Sequence, residues 1–154
     1  KAIDNKMKRK EIILRKAFMS KSKSPYVKNI YSEIYIKSLN ALAFNMTALY
    51  FYQNNNSLKK NFEAISMIKR IMIEGEEIMS SLNLKHFQSY QDRINQTLSS
   101  SIHTMTMLSD HKKGKQIELK YLWKTFDILS KLAKIKMKYT ESIYKKLIHN
   151  RKIK

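Results

Sequence analysis

The chain has 154 residues, 43% of them apolar, with 31 Lys and Arg against 12 Asp and Glu and a formal net charge of +19. That length and apolar share suffice for one globular domain with a real core and exclude a disordered chain. Two glycines, one proline and no cysteine exclude a turn-rich β-protein, disulfides, thiolate metal sites and a thiol nucleophile.

Taken in chain order, the apolar spacing predicts a first helix from about Ala2 to Met19. Ile3, Met7, Leu14 and Phe18 share one face; Lys1, Lys8, Arg9, Arg15 and Lys16 lie on the other side. Lys10 falls inside the apolar stripe, where its stem reaches solvent over the core edge. After a polar connection, Ser24 and Pro25 read as an N-cap and a first-turn proline, opening a second helix that runs to about Tyr52. From Leu39 onward this helix is apolar on nearly every side, which places it at the centre of the fold. Asn40, Asn45 and Thr47 within it need internal hydrogen bonds or a ligand pocket, and internal bonds are the expectation.

Asn54-Asn55-Asn56 ends that helix, and Ser57 caps a third that carries Leu58, Phe62, Ile65, Ile68 and Ile78. Gly75 costs about 1 kcal/mol inside a helix and allows a local kink. Glu74, Glu76 and Glu77 read as a solvated patch, or as partners for Lys69 and Arg70. Asn83 is a break, followed by a fourth helix with Leu84, Phe87, Tyr90, Ile94, Leu98, Ile102, Met105 and Leu108, then a loop over Ser109 to Gly114. From Lys115 to His149 there is neither Gly nor Pro, and one long final helix is expected. Leu119, Leu122, Phe126, Leu129, Ala133, Met137, Tyr144 and Leu147 would face the core, with Trp123 packed on its flank. Lys124, Lys131, Lys138, Lys145 and Lys152 recur every seven residues, joined by Lys120 and Lys134, and lie roughly opposite. The expected fold is all-α: a single-domain bundle of about five helices over residues 1–154, with the apolar second helix central and a long C-terminal helix. No run of eighteen apolar residues predicts a membrane span.

Charge is unevenly placed. Residues 1–28 hold ten basic and two acidic residues, residues 29–111 seven of each, and residues 112–154 fourteen and three. The excess therefore sits at the two ends. Lysines outnumber arginines 26 to 5, and Lys acts toward phosphate as a point charge rather than as a bidentate reader of bases. The expectation is a lysine-rich surface on the first and last helices that binds nucleic acid, most simply duplex DNA, without sequence preference. Its residues would be Lys8, Arg9, Arg15, Lys16, Lys120, Lys124, Lys131, Lys134, Lys138 and Lys145. A sulfated glycosaminoglycan or an acidic protein would be alternative partners for the same surface.

Catalytic chemistry is not expected. His86, His103, His111 and His149 form no i,i+4 pair for zinc. Ser101, His103 and Asp110 lack a nucleophile elbow, and two glycines cannot build a phosphate-cradling loop. The reading is of no enzyme, no metal, no cofactor and no small-molecule substrate.

The cysteine-free, Lys/Ile/Asn/Ser-rich helical style, with Lys6-Met-Lys-Arg-Lys10 and Lys131-Leu-Ala-Lys-Ile-Lys-Met-Lys138, resembles the Borrelia outer-surface lipoproteins, in particular their paralogous family twelve. The resemblance implies a helical fold, non-specific DNA binding and a lipid-anchored place on the cell's outer surface.

Overall fold

A computed structural model describes residues 29–85, 88–99 and 105–151. The first predicted helix, and with it Lys8, Arg9, Arg15 and Lys16, lies outside the described residues. Among the described residues there are seven helices and no strand: α1 (Ile30–Phe51), α2 (Asn55–Leu58), α3 (Phe62–Ser81), α4 (Tyr90–Ser99), α5 (Thr106–Lys112), α6 (Leu119–Ala133) and α7 (Lys138–Arg151). The all-α class is as expected; several boundaries are not. No helix among the described residues is long and apolar enough to cross a membrane.

α1 begins later than the Ser-Pro signal suggested. Asn29 has extended backbone, and its side-chain oxygen accepts the Tyr31 N–H at 3.0 Å. That satisfies one of the open amides of a first turn, so the helix opens at Ile30. Leu39, Leu42, Ala43, Met46, Ala48 and Leu49 are all fully buried, because α3, α5, α6 and α7 all pack against α1. It is the central helix, as its composition required.

The tightest packing is where α1 meets α3. The Tyr35 hydroxyl donates to the Gly75 carbonyl at 2.6 Å, and a Cβ placed on Gly75 would lie 2.3 Å from Leu39 Cδ1. Gly75 is therefore no kink, and α3 runs unbroken through it. Its missing side chain lets two helices touch. Gly75→Ala should destabilise the protein in a urea melt. The helix propensity gained is about 1 kcal/mol, whereas forcing a methyl into a filled core costs about 1–3 kcal/mol. Leu39 is fully buried and has nowhere to swing. Leu39→Ala in the same chain should remove most of the penalty specific to Gly75→Ala.

Asparagines punctuate the middle. Asn54 Oδ1 accepts the Ser57 N–H and Asn61 Oδ1 accepts the Ala64 N–H, each at 3.1 Å. The cap of the third predicted helix is thus Asn61 rather than Ser57, and a short α2 precedes it. Asn83 adopts φ 53° and ends the α3 region as anticipated. The fourth predicted helix is divided into α4 and α5, with Met105 at ψ 120° just before α5. Ser109 to Lys112, expected as loop, belong to α5. The reversal comes only at Gly114, where φ is 69° and the Lys115 N–H bonds back to the Asp110 carbonyl at 2.9 Å.

The long final helix is the largest correction to the fold. It stops at Lys134, which is left-handed at φ 56°. The Ile135 N–H closes onto Ser130 O at 3.0 Å, and the Lys134 N–H reaches Lys131 O at 3.2 Å. This closure usually uses Gly or Asn; here a lysine takes it. What holds the break open is remote. Glu74 on α3 accepts the N–H groups of Tyr139 (2.8 Å) and Thr140 (2.9 Å) and the Thr140 hydroxyl (2.6 Å). A carboxylate thus sits on the positive end of α7. In one continuous helix Trp123 and Tyr144 would stand about 30 Å apart along the axis; instead their rings stack with centroids at 5.3 Å.

Of the acidic cluster only Glu77 is a solvated residue; Glu74 and Glu76 are committed to contacts inside the fold. Glu76 pairs with Arg93, whose side chain is 2% exposed and whose other guanidinium nitrogen donates to Asn40 Oδ1 at 3.0 Å. Arg70, assigned to these carboxylates from sequence, instead lies over the Tyr139 ring at 3.8 Å. Tyr35 is beside the Arg93 pair. Burial pushes its phenol pKa up, with the Arg93 charge pulling partly the other way.

Candidate active site

One face of α1 is only partly covered: Lys37 is exposed and Ser38 and Ala41 are half-buried, while Asn45 is buried. Lys37, Ala41 and Asn45 recur every four residues and therefore share a helix face, with Ser38 beside them. This face, together with Thr106 and Met107 at the start of α5, the connection Gln116, Ile117 and Glu118, and Tyr121, Leu122 and Thr125 of α6, lines a cleft of about 770 Å³. That is the size range of small-molecule sites.

The cleft mixes an apolar wall with a few polar groups. Met107 and Ile117 are buried and Leu122 is half-buried. Lys37 is the one basic residue in the sequence of α1. Glu118 stands at the N-cap position of α6 but makes no side-chain cap. Among the described residues neither the Lys37 ammonium nor the Glu118 carboxylate ends in a hydrogen bond or an ion pair. An unneutralised cation and an unneutralised anion therefore line one cavity. Asn45 is buried between them and α5. Its amide donates to Ala41 O at 2.8 Å, and its oxygen accepts the Met107 N–H at 3.3 Å. Thr47, by contrast, bonds only inside its own helix, to Ala43 O at 2.8 Å.

A second groove of about 570 Å³ runs past Glu76, Glu77, Ser80, Ser81, Tyr90 and Ile135. Two of its polar groups are committed, Glu76 to Arg93 and the Ser81 hydroxyl to Ala133 O at 3.1 Å, while Glu77 and Ser80 stay exposed to solvent. The first cleft differs in being lined by both a lysine and a glutamate that make no hydrogen bond or ion pair among the described residues. Among the described residues no group of three His, Cys, Asp or Glu is placed to hold a metal ion.

None of the described lysines singled out from sequence lines this cleft. Lys120 and Lys124 are exposed on α6, Lys131 pairs with Asp127 and Lys145 with Glu141 at 2.6 Å each, Lys134 forms the left-handed turn, and Lys138 opens α7. Sequence reasoning passed over Lys37 and Glu118. The available signal was a lone lysine one turn from Ala41 and two from Asn45 on an otherwise apolar helix.

The model of the family described as ketopantoate reductase PanE/ApbA C terminal matches residues 29–151. No curated protein and no solved structure matches the chain. The family match overturns the resemblance to Borrelia lipoproteins. It also overturns the expectation of a polyanion-binding protein, whether for DNA, glycosaminoglycan or an acidic partner. The expectations of no enzyme and no small-molecule substrate fall with it, since this family is one of reductases. A charge count could not see this, because the cleft lies in the electrically neutral part of the sequence and at its border, where single charges matter rather than their sum. Over residues 29–151 the chain belongs to the ketopantoate reductase PanE/ApbA C-terminal family.

Proposed function

We propose that the α1–α5–α6 cleft is the substrate side of a ketopantoate-reductase-type oxidoreductase, with Lys37 as its proton donor. The observation that carries this reading is that Lys37 and Glu118, neither paired among the described residues, line one cleft of small-molecule size.

NADPH supplies the hydride in this family. The described residues do not form a cradle for it. They contain no strand, Gly75 is packed against Leu39, and Gly114 closes a short helix, so no glycine-rich turn faces a helix N-terminus.

Reducing a 2-keto acid to a 2-hydroxy acid builds negative charge on the carbonyl oxygen, and that oxygen must end up protonated. A lysine ammonium has three donors and no acceptor. It can hold the keto oxygen, stabilise the growing charge and transfer one proton to it. The amine left behind is reprotonated from water. Glu118, ionised, can only accept. It offers nothing to a keto oxygen or a carboxylate, and instead orients the ammonium or a hydroxyl of the substrate. Met107, Ile117 and Leu122 give the aliphatic part of a substrate an apolar surface.

A titration of the isotope-labelled chain with ketopantoate tests the reading by NMR. Amide signals of residues 37–45, 106–107 and 116–118 should move together, and Lys37→Met should abolish the response while leaving the rest of the spectrum in place. Folded wild-type protein whose cleft signals stay still at saturating ketopantoate would overturn it.

A further inference from the structure

We infer that Asn45 is a positioning residue for this cleft. It acts as a helix cap supplied from a distance, holding the Thr106–Met107 wall in register with Lys37. Its effect on ligand rests on the functional reading just given; the cap itself stands on geometry.

α5 needs such a cap. It is a short helix, and the residue at its N-cap position, Met105, is apolar and makes no side-chain hydrogen bond to the first turn. Helices are normally opened by Ser, Thr, Asp or Asn at this place, and a first-turn amide left open in a buried setting costs about 1–3 kcal/mol. The Met107 N–H is buried with its residue, yet it is satisfied. Its acceptor is Asn45 Oδ1, 62 residues earlier, at 3.3 Å. The same side chain is anchored at its other end, donating to Ala41 O at 2.8 Å. Both of Asn45's anchors, Ala41 and Met107, line the cleft, and Lys37 lies on the same α1 face two turns back.

The consequence is a fixed width. α1 carries Lys37, and α5 carries Thr106 and Met107 of the same lining. The Asn45 side chain ties these two helices together at the cleft wall. Losing the bond frees the first turn of α5 to pull back from Lys37, with Lys37, Thr106 and Met107 themselves unchanged. Thr47 supplies the control. It lies two residues on in the same helix, is fully buried, and makes a bond of equal length to its own helix, but it does not face the cleft.

The experiment compares Asn45→Leu, Asn45→Asp and Thr47→Val in the full chain, reading Met107 amide exchange and ketopantoate affinity by NMR well below each variant's melting point. Asn45→Leu removes the acceptor at similar volume. It should speed Met107 exchange at least tenfold and weaken ketopantoate binding about tenfold or more. Asn45→Asp keeps an acceptor for the Met107 N–H but loses the donor to Ala41 O. It should restore Met107 exchange to within about threefold of wild type, with no return of ketopantoate affinity required, since a carboxylate on the cleft wall opposes an anionic ligand. Thr47→Val should lower the melting temperature while leaving both cleft readouts unmoved. The inference is overturned if Met107 exchange is unchanged in Asn45→Leu. It is equally overturned if exchange speeds up while affinity holds, or if Thr47→Val weakens binding as much as Asn45→Leu does. Faster Met107 exchange in Asn45→Leu, together with a wild-type chain that binds no ketopantoate, would sink the functional reading and leave the remote cap standing.

Discussion

Lys37→Met, assayed with the NADPH-binding part of a reductase supplied, is expected on the functional reading proposed above to lower kcat for NADPH-dependent ketopantoate reduction by about 10²–10⁴-fold, the range typical of losing a positioned general acid. Methionine matches lysine in length and lacks both the charge and the proton. α1 should keep its fold, since Lys37 is exposed and bonds to nothing in the described protein. The informative comparison is Lys37→Arg. A guanidinium keeps the positive charge and the donors but does not give up a proton at ordinary pH. It should therefore recover most of the binding and little of the turnover, leaving KM near wild type with kcat still depressed. Were Lys37→Arg to restore kcat as well, Lys37 would be only an electrostatic clamp. Full activity in Lys37→Met would remove the residue from the mechanism altogether. Steady-state kinetics on the three proteins decides among these.

The second large effect concerns stability. Arg93→Met should destabilise the protein by about 3 kcal/mol, at the lower end of the 3–5 kcal/mol seen when one member of a buried pair is removed. The Arg93 side chain is 2% exposed, and that of Glu76 is 33% exposed. The abandoned carboxylate can therefore partly rehydrate, which sets the low end. Asn40 Oδ1 loses its donor as well. Adding Glu76→Gln should recover a good part of the loss, because a neutral amide in that place no longer needs a cation. At about 2–4 °C per kcal/mol for a domain of this size, the single substitution should show as a fall of roughly 6–12 °C in Tm. A fall under about 2 °C would mean that the pair is held at little net benefit. That is a real outcome for ion pairs in protein interiors, where desolvation offsets attraction.

How far the sequence carried depends on the distance over which each contact acts. Local chemistry read well. The apolar run from Leu39 lies at the centre because a helix greasy on all sides has nowhere else to go, and Asn54 and Asn83 punctuate because Asn tolerates caps and left-handed backbone. Long-range contacts did not read. Glu74 looks like a surface carboxylate until α7 arrives 65 residues later to be capped by it. Arg93 looks like one more basic residue until it is found buried on Asn40 and Glu76. The break at Lys134 is the sharpest case. No Gly or Pro marks it, and the heptad of lysines runs straight through. The seven-residue repeat implied a single charged face, but a repeat counts residues along one axis, and the axis changes at Lys134. The cleft was half legible. Asn45 stood out as a polar residue in an apolar helix, with a ligand pocket as the minority reading, while Lys37 was absorbed into a regional sum of zero.

That left-handed lysine also decides how compactly the positive charge of the C-terminal region is held. As one rod, residues 119–151 would stretch their ammonium groups over about 50 Å, several screening lengths at physiological salt. Bent back, with the Trp123 and Tyr144 rings stacked between them, the two segments are each only about 20 Å long. A carboxylate-bearing molecule diffusing near the protein meets a concentrated field, and its capture rate rises with that concentration and falls as ions are added. On the functional reading proposed above, the lysines of these segments would enrich the surroundings of the cleft in anions without touching the substrate.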